Sequence, residues 1–143
     1  MSGWVQQAEA ALSAAGHRHG GARRALIELL GAESCALTAI EIEDALGRRG
    51  RRVSRASIYR ILEQLEGLGL AQRVETGQAM VRYERTGGKD EHHHHLVCEA
   101  CGAVMPFSDE ALEQAISSLS SRVPLRVSEH EIVLRGECED CAA

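Results

Sequence analysis

The chain has 143 residues, 44% of them hydrophobic and only 3% aromatic, which suits one domain or two small ones with little ring volume to fill a core. A formal net charge of −5 excludes a uniformly basic nucleic-acid binder, but the charge is divided: residues 1–85 carry 12 basic against 10 acidic side chains (net +2), residues 86–143 carry 4 against 11 (net −7). No stretch is apolar and long enough to span a bilayer and the first residues lack a signal-peptide pattern, so the expectation is a cytoplasmic protein with no membrane partner.

Val5, Ala8, Leu12 and Ala15 recur at helical spacing and predict a first helix; residues 22–30, with Leu26, Ile27, Leu29 and Leu30, predict a second. Thr38-Ala39-Ile40-Glu41 is a capping-box sequence, in which hydroxyl and carboxylate satisfy exposed amides, so a third helix is expected from there through Leu46. Ser54 is positioned to cap a fourth, whose Ile58, Ile61, Leu62, Leu65 and Leu68 form one apolar stripe. Two short helices about a tight turn, the second offering Arg55, Ser57, Tyr59 and Arg60, read as a helix-turn-helix. Arg48, Arg49, Arg51 and Arg52 add to an anion-facing cluster. Residues 70–75 and 79–84 predict two strands around Thr76-Gly77-Gln78, which would make the whole a winged helix. Helical bundles also contain such pairs, so this pattern alone leaves DNA binding and a plain helical core both open.

Residues 86–91, polar and glycine-containing, read as a hinge that divides a first domain, 1–85, from a second, 92–143. The second opens on four histidines. If residues 92–97 are a strand, successive side chains alternate, so His92 and His94 face one way and His93 and His95 the other, and one strand can feed two metal sites. Further expectations are a strand over 104–107, a helix capped by Ser108 with Leu112, Ile116 and Leu119 buried, and a strand over 126–134. The fold class is thus α+β, with an N-terminal winged helix and a C-terminal α/β domain.

Cys98 and Cys101 form one CxxC pair, Cys138 and Cys141 a second. Two such pairs complete a tetrahedral thiolate site, and zinc is the expected structural ion. The competing disulfide framework would leave Cys35 unpaired and suits an oxidising compartment.

The run from Val53 to Leu62 (VSRASIYRIL), followed by HHHHLVCEACG and the closing CxxC, resembles the ferric uptake regulator family of metal-responsive repressors across nearly the whole chain. The resemblance implies a homodimer on double-stranded operator DNA, with residues 92–143 as the dimerisation domain and no small-molecule substrate. By the same resemblance Tyr59 packs on thymine methyls, Arg60 contacts phosphate, Arg55 and Ser57 assist at the helix start, and Arg18 reaches into the minor groove; a familiar threonine nearby is here Gly20. It also implies a regulatory metal site from Glu84, His93 and His95, holding Zn(II) or Fe(II), and a second site from His92, His94, Glu113 and His130. The histidine many members carry before the third helix is here Ala36; adjacent Cys35 offers a thiolate in its place, or is simply a small buried cysteine. The expected function is metal-dependent repression, leaning toward control of zinc uptake, with iron-responsive or peroxide-sensing regulation as alternatives. A zinc hydrolase and a zinc-stapled interaction module are the readings from other classes; for the former the chain offers no HExxH.

Overall fold

Two side-chain caps set where the central helices of the first unit begin. Thr38 Oγ1 accepts from the Glu41 amide (3.1 Å) and the Glu41 carboxylate accepts from the Thr38 amide (2.9 Å), which starts helix α3 at Ala39–Arg48. Ser54 Oγ accepts from the Ser57 amide (3.2 Å) and starts α4 at Arg55–Gly67. The computed structural model describes residues 3–75, 77, 80–87 and 92–143, and the chain divides into two units, Met1–Asp90 and Glu91–Ala143.

In the first unit, α1 (Gly3–Ala14) and α2 (Gly21–Ala32) precede β1 (Leu37–Thr38), α3 and α4, and β2 (Ala71–Glu75) and β3 (Val81–Arg85) follow. The sheet order is β1-β3-β2, antiparallel throughout, with Leu37 opposite Tyr83 and Arg73 opposite Tyr83 on the other side. Helices with a two-stranded wing and a short third strand make a winged helix. The core gathers Leu12, Leu26, Ile27, Leu30, Ile42, Leu46, Ile58, Leu62 and Leu65, all buried. Trp4, which periodicity does not single out, joins it and donates from Nε1 to the Leu70 carbonyl (3.1 Å). Leu62 is completely buried, so Leu62→Ala should cost about 2–5 kcal/mol in a urea melt, and a loss below about 1 kcal/mol would contradict this packing.

Several expectations shift here. Ala15 lies beyond α1 and is exposed, and Leu68 leaves the apolar stripe because it is the C-cap of α4, where the helical phase has ended. Strand β1 is too short to announce itself in sequence. The expected turn residues Thr76 and Gln78, the strand start at Ala79 and hinge positions 88–91 lie outside the described residues.

The second unit contains β4 (His94–Cys98), β5 (Val104–Phe107), α5 (Glu110–Ser120), β6 (Val133–Gly136) and the short α6 (Glu139–Ala142). The sheet order is β5-β4-β6, with β4 antiparallel to β5 and parallel to β6. The cap of α5 is Asp109, not Ser108: its carboxylate accepts from the Leu112 amide (2.9 Å), and a negative charge suits the positive helix end. The expected strand over 126–134 is reduced to β6. The Ile132 amide donates to His94 Nδ1 (3.2 Å), so a ring nitrogen takes a donor that a longer ladder would have used. The α5 residues expected to be buried are not: Leu112 and Ile116 are half-buried and Leu119 is 51% exposed. Three strands, α5 and the short α6 leave apolar surface uncovered, and Leu125 (71%) and Leu134 (51%) are exposed as well.

Candidate metal centres and nucleic-acid interface

The four cysteines of the CxxC pairs converge. Cys98 ends β4, Cys101 follows in the turn, Cys138 precedes α6 and Cys141 lies within it. Gly102, at φ +78°, turns the chain back so that its amide donates to the Cys98 carbonyl (2.9 Å), a conformation that favours glycine. The Cys101 and Cys138 sulfurs stand 3.9 Å apart. A disulfide needs about 2.05 Å, whereas a tetrahedron with metal–sulfur bonds of about 2.3 Å has edges of about 3.8 Å. The donor set therefore fits zinc. The amides of Cys138 (3.3 Å) and Cys101 (3.5 Å) point at Cys98 Sγ and hold its thiol down at about 6; hydrogen bonding with Cys138 and the other thiols pushes Cys141 up to about 12.

A second cluster lies wholly within the same unit. His94 Nε2 is 2.5 Å from Glu113 Oε1, His130 Nε2 is 2.7 Å from Glu113 Oε2, and His92 Nε2 is 3.1 Å from His130 Nε2. Ligand atoms of all four residues lie within 4.8 Å of one another. Nitrogens on a tetrahedral ion at about 2.05 Å are about 3.3 Å apart, so the His92–His130 spacing suits two ligands of one metal as well as a hydrogen bond. The Ile132 amide on His94 Nδ1 leaves Nε2 facing Glu113. Hydrogen bonds from His94, then His130, hold the Glu113 carboxyl below the usual range, and burial pushes the His92 imidazole down.

The remaining ligand candidates form two pairs. In the first unit, Cys35, half-buried just before β1, has Sγ within 4.8 Å of a Glu84 carboxylate oxygen on β3. Glu84 is buried and accepts from Gln72 Nε2 (2.7 Å). Arg82, two residues earlier, donates to the Glu41 carboxylate (2.9 Å) and to the Ala36 carbonyl (3.4 Å), tying the Cys35 segment to both β3 and α3. Ala36 is itself buried. In the second unit, His93 and His95 lie ring against ring with centroids 4.9 Å apart, and His92 and His94 pair separately at 4.6 Å. Sequence reasoning does not find Gln72 or Arg82, since neither belongs to a ligand motif and only strand register brings them in.

On α4, Arg55, Tyr59 and Arg60 are exposed while Ile58, Ile61, Leu62 and Leu65 face the core, as expected of an amphipathic helix offering one face to solvent. Arg55 pairs with Glu43 of α3 (2.8 Å), and Ser57 is engaged in the cap, its hydroxyl 2.9 Å from that of Ser54. Arg18 is exposed in the segment between α1 and α2, and Gly20 is the N-cap of α2 with no side-chain bond.

A winged helix followed by a small α/β unit with a thiolate cluster defines a metal-binding regulator of transcription. Residues 14–135 match the ferric uptake regulator family, to which the chain belongs. It is 36% identical over 107 residues to the ferric uptake regulation protein of Legionella pneumophila, covering 73% of this chain and 76% of that one. The structure is similar to the ferric uptake regulator of Vibrio cholerae, with TM-score 0.77, 29% identity, and 90% of this chain and 97% of that one covered. The Helicobacter pylori ferric uptake regulator shares the fold at TM-score 0.83, with 22% identity over 98% of this chain and 92% of the other. Members of this family are transcriptional regulators rather than enzymes, which removes the hydrolase reading.

Proposed function

We propose that this chain is a metal-dependent repressor that binds palindromic operator DNA as a homodimer in the cytoplasm and controls zinc uptake. Residues 1–85 serve as the DNA reader, 86–91 as the hinge and 92–143 as the dimerisation domain. Cys98, Cys101, Cys138 and Cys141 hold the structural zinc, and His92, His94, Glu113 and His130 hold a second ion. Cys35 and Glu84 from the reader join His93 and His95 from the dimerisation domain to hold the regulatory ion. A metal whose ligands come from two domains binds tightly only in one relative orientation of them, and that orientation is the one that presents both α4 helices to DNA.

The observation that carries the zinc assignment is the approach of the Cys35 sulfur to Glu84. A thiolate beside imidazoles suits zinc better than a site of oxygen and nitrogen donors alone. The exposed Leu119, Leu125 and Leu134 support a dimer, in which a second copy would cover them. Two observations favour iron instead: the Legionella pneumophila relative bears the name of a ferric uptake regulation protein, and the Glu84 carboxylate suits a harder ion.

The test loads the full chain, its structural zinc in place, with one further metal at a time and measures binding to a palindromic duplex selected by the protein. Zinc should raise affinity at least roughly tenfold, within the usual range of allosteric coupling. Arg55→Glu with Arg60→Glu should abolish binding under every metal; unchanged binding would instead favour an interaction module. A larger gain with iron(II) than with zinc would transfer the assignment to iron. Cobalt(II) at the regulatory site should show a thiolate charge-transfer band that Cys35→Ser removes.

A further inference from the structure

We propose that Arg23 is a positioning residue for Arg18: it fixes the backbone from which Arg18 enters the minor groove. The inference rests on the reading of Arg18 as a minor-groove contact.

Arg18 stands on a weakly supported piece of chain. Helix α1 closes through Gly16, at φ +82°, whose amide donates to the Ser13 carbonyl (3.0 Å), and α2 begins at Gly21; the residues between join no strand. A side chain on such a segment would have to be ordered each time it met DNA, at an entropic cost on the order of 1–2 kcal/mol per backbone residue. Arg23, on the first turn of α2, removes that freedom. Its Nη1 donates to the carbonyl of His17 and to that of Arg18, each at 3.0 Å. These two carbonyls belong to the peptide planes on either side of the Arg18 α-carbon, so one guanidinium nitrogen constrains both backbone dihedrals of the residue.

The clamp is anchored on its other side. Nη2 donates to Glu9 Oε2 on α1 (3.0 Å) and meets His19 Nδ1 (2.9 Å), and the opposite nitrogen of that ring lies 2.8 Å from Ser13 Oγ. The residue after Arg18 is thereby tied to α1 as well. Arg23 is 4% exposed, whereas the Arg18 side chain is in solvent. A buried cation carries a desolvation cost that an apolar side chain would avoid. What it supplies here is a planar fork that reaches two carbonyls and a carboxylate at once, which a lysine ammonium cannot reproduce.

The test is a double-mutant cycle in the zinc-loaded full chain, on an in vitro selected palindrome with A·T-rich flanks and on the same duplex with G·C flanks. Arg18→Ala and Arg23→Lys should each lower affinity for the A·T-flanked duplex by roughly tenfold, the loss expected for one charged contact. The double variant should bind no worse than Arg18→Ala alone, and Arg23→Lys should lose the preference for A·T flanks. Additive losses, or a flank preference retained in Arg23→Lys, would overturn the inference. If Arg18→Ala alone binds as wild type, the reading of Arg18 itself is wrong and the inference falls with it. Should Arg23→Lys fail to fold, Glu9→Gln in the same cycle decides: it keeps Arg23 on both carbonyls and loosens only the anchor. A loss of a few-fold that vanishes in the Arg18→Ala background supports positioning, and a loss that persists there overturns it.

Discussion

Cys98→Ser combined with Cys138→Ser should unfold the second unit and leave the winged helix standing. Among the described residues of that unit only His94, His95, Val97 and Cys98 are buried. A core so small supplies at most about 3–5 kcal/mol, whereas a structural zinc site contributes an apparent 10–16 kcal/mol or so at neutral pH. Together the two substitutions take one thiolate from each CxxC pair, so neither pair retains a chelate. Zinc content should fall by at least one equivalent per chain. Hydrogen exchange should become fast throughout β4, β5 and β6 but stay slow in α2, α3 and α4. Slow exchange persisting in β4 of the variant would mean that the sheet holds itself and the thiolates are incidental.

Glu84→Gln with Cys35→Ala should separate repression from folding. Glu84 is buried, and a glutamine amide in its place keeps its volume and a hydrogen-bonding partner for Gln72 while losing most of the affinity for a cation. The melting temperature should move little, and the structural zinc should remain. The metal-induced gain in DNA affinity, a coupling of about 1–3 kcal/mol, should disappear. Linkage requires the reciprocal result: in wild type, operator DNA should tighten regulatory metal by the same factor, and in the variant it should not. A full metal response in the variant would show that the second cluster, at Glu113, drives the switch, and the roles of the two sites would have to be exchanged.

Residues whose function is local can be read from sequence. The Thr38–Glu41 box and the Ser54 cap act within three residues of themselves, so both helix starts are legible. The cysteine pairs are legible for the same reason, since spacing alone lets two thiolates grip one ion. Choices among near neighbours are harder: Ser108 and Asp109 both cap helices well, and the carboxylate prevails through its charge. The spacing of Leu112, Ile116 and Leu119 does mark an apolar stripe but not a buried one, because period reveals that a face is apolar and not what covers it. The strand expected over 126–134 begins only at Val133, and the Ile132 amide just before it is taken by a ring nitrogen 38 positions away. Arg23 and Arg82 escape altogether, since an arginine in sequence looks solvated until its carbonyl and carboxylate partners are in place.

The histidine strand has one property that its own composition cannot supply. Only His94 and His95 lie within β4, since the strand expected from residue 92 begins two residues later. A run of identical side chains contains no information about alignment: slide the chain by one residue and imidazoles still occupy both faces. Alignment must come from the unlike residues that follow, Leu96 opposite Met105, Val97 opposite Val104, and Cys98, whose sulfur is fixed among the other three thiolates. The thiolate site is thus the index mark of the strand. By holding one end in place, it determines which imidazoles face Glu113 and which face the other way.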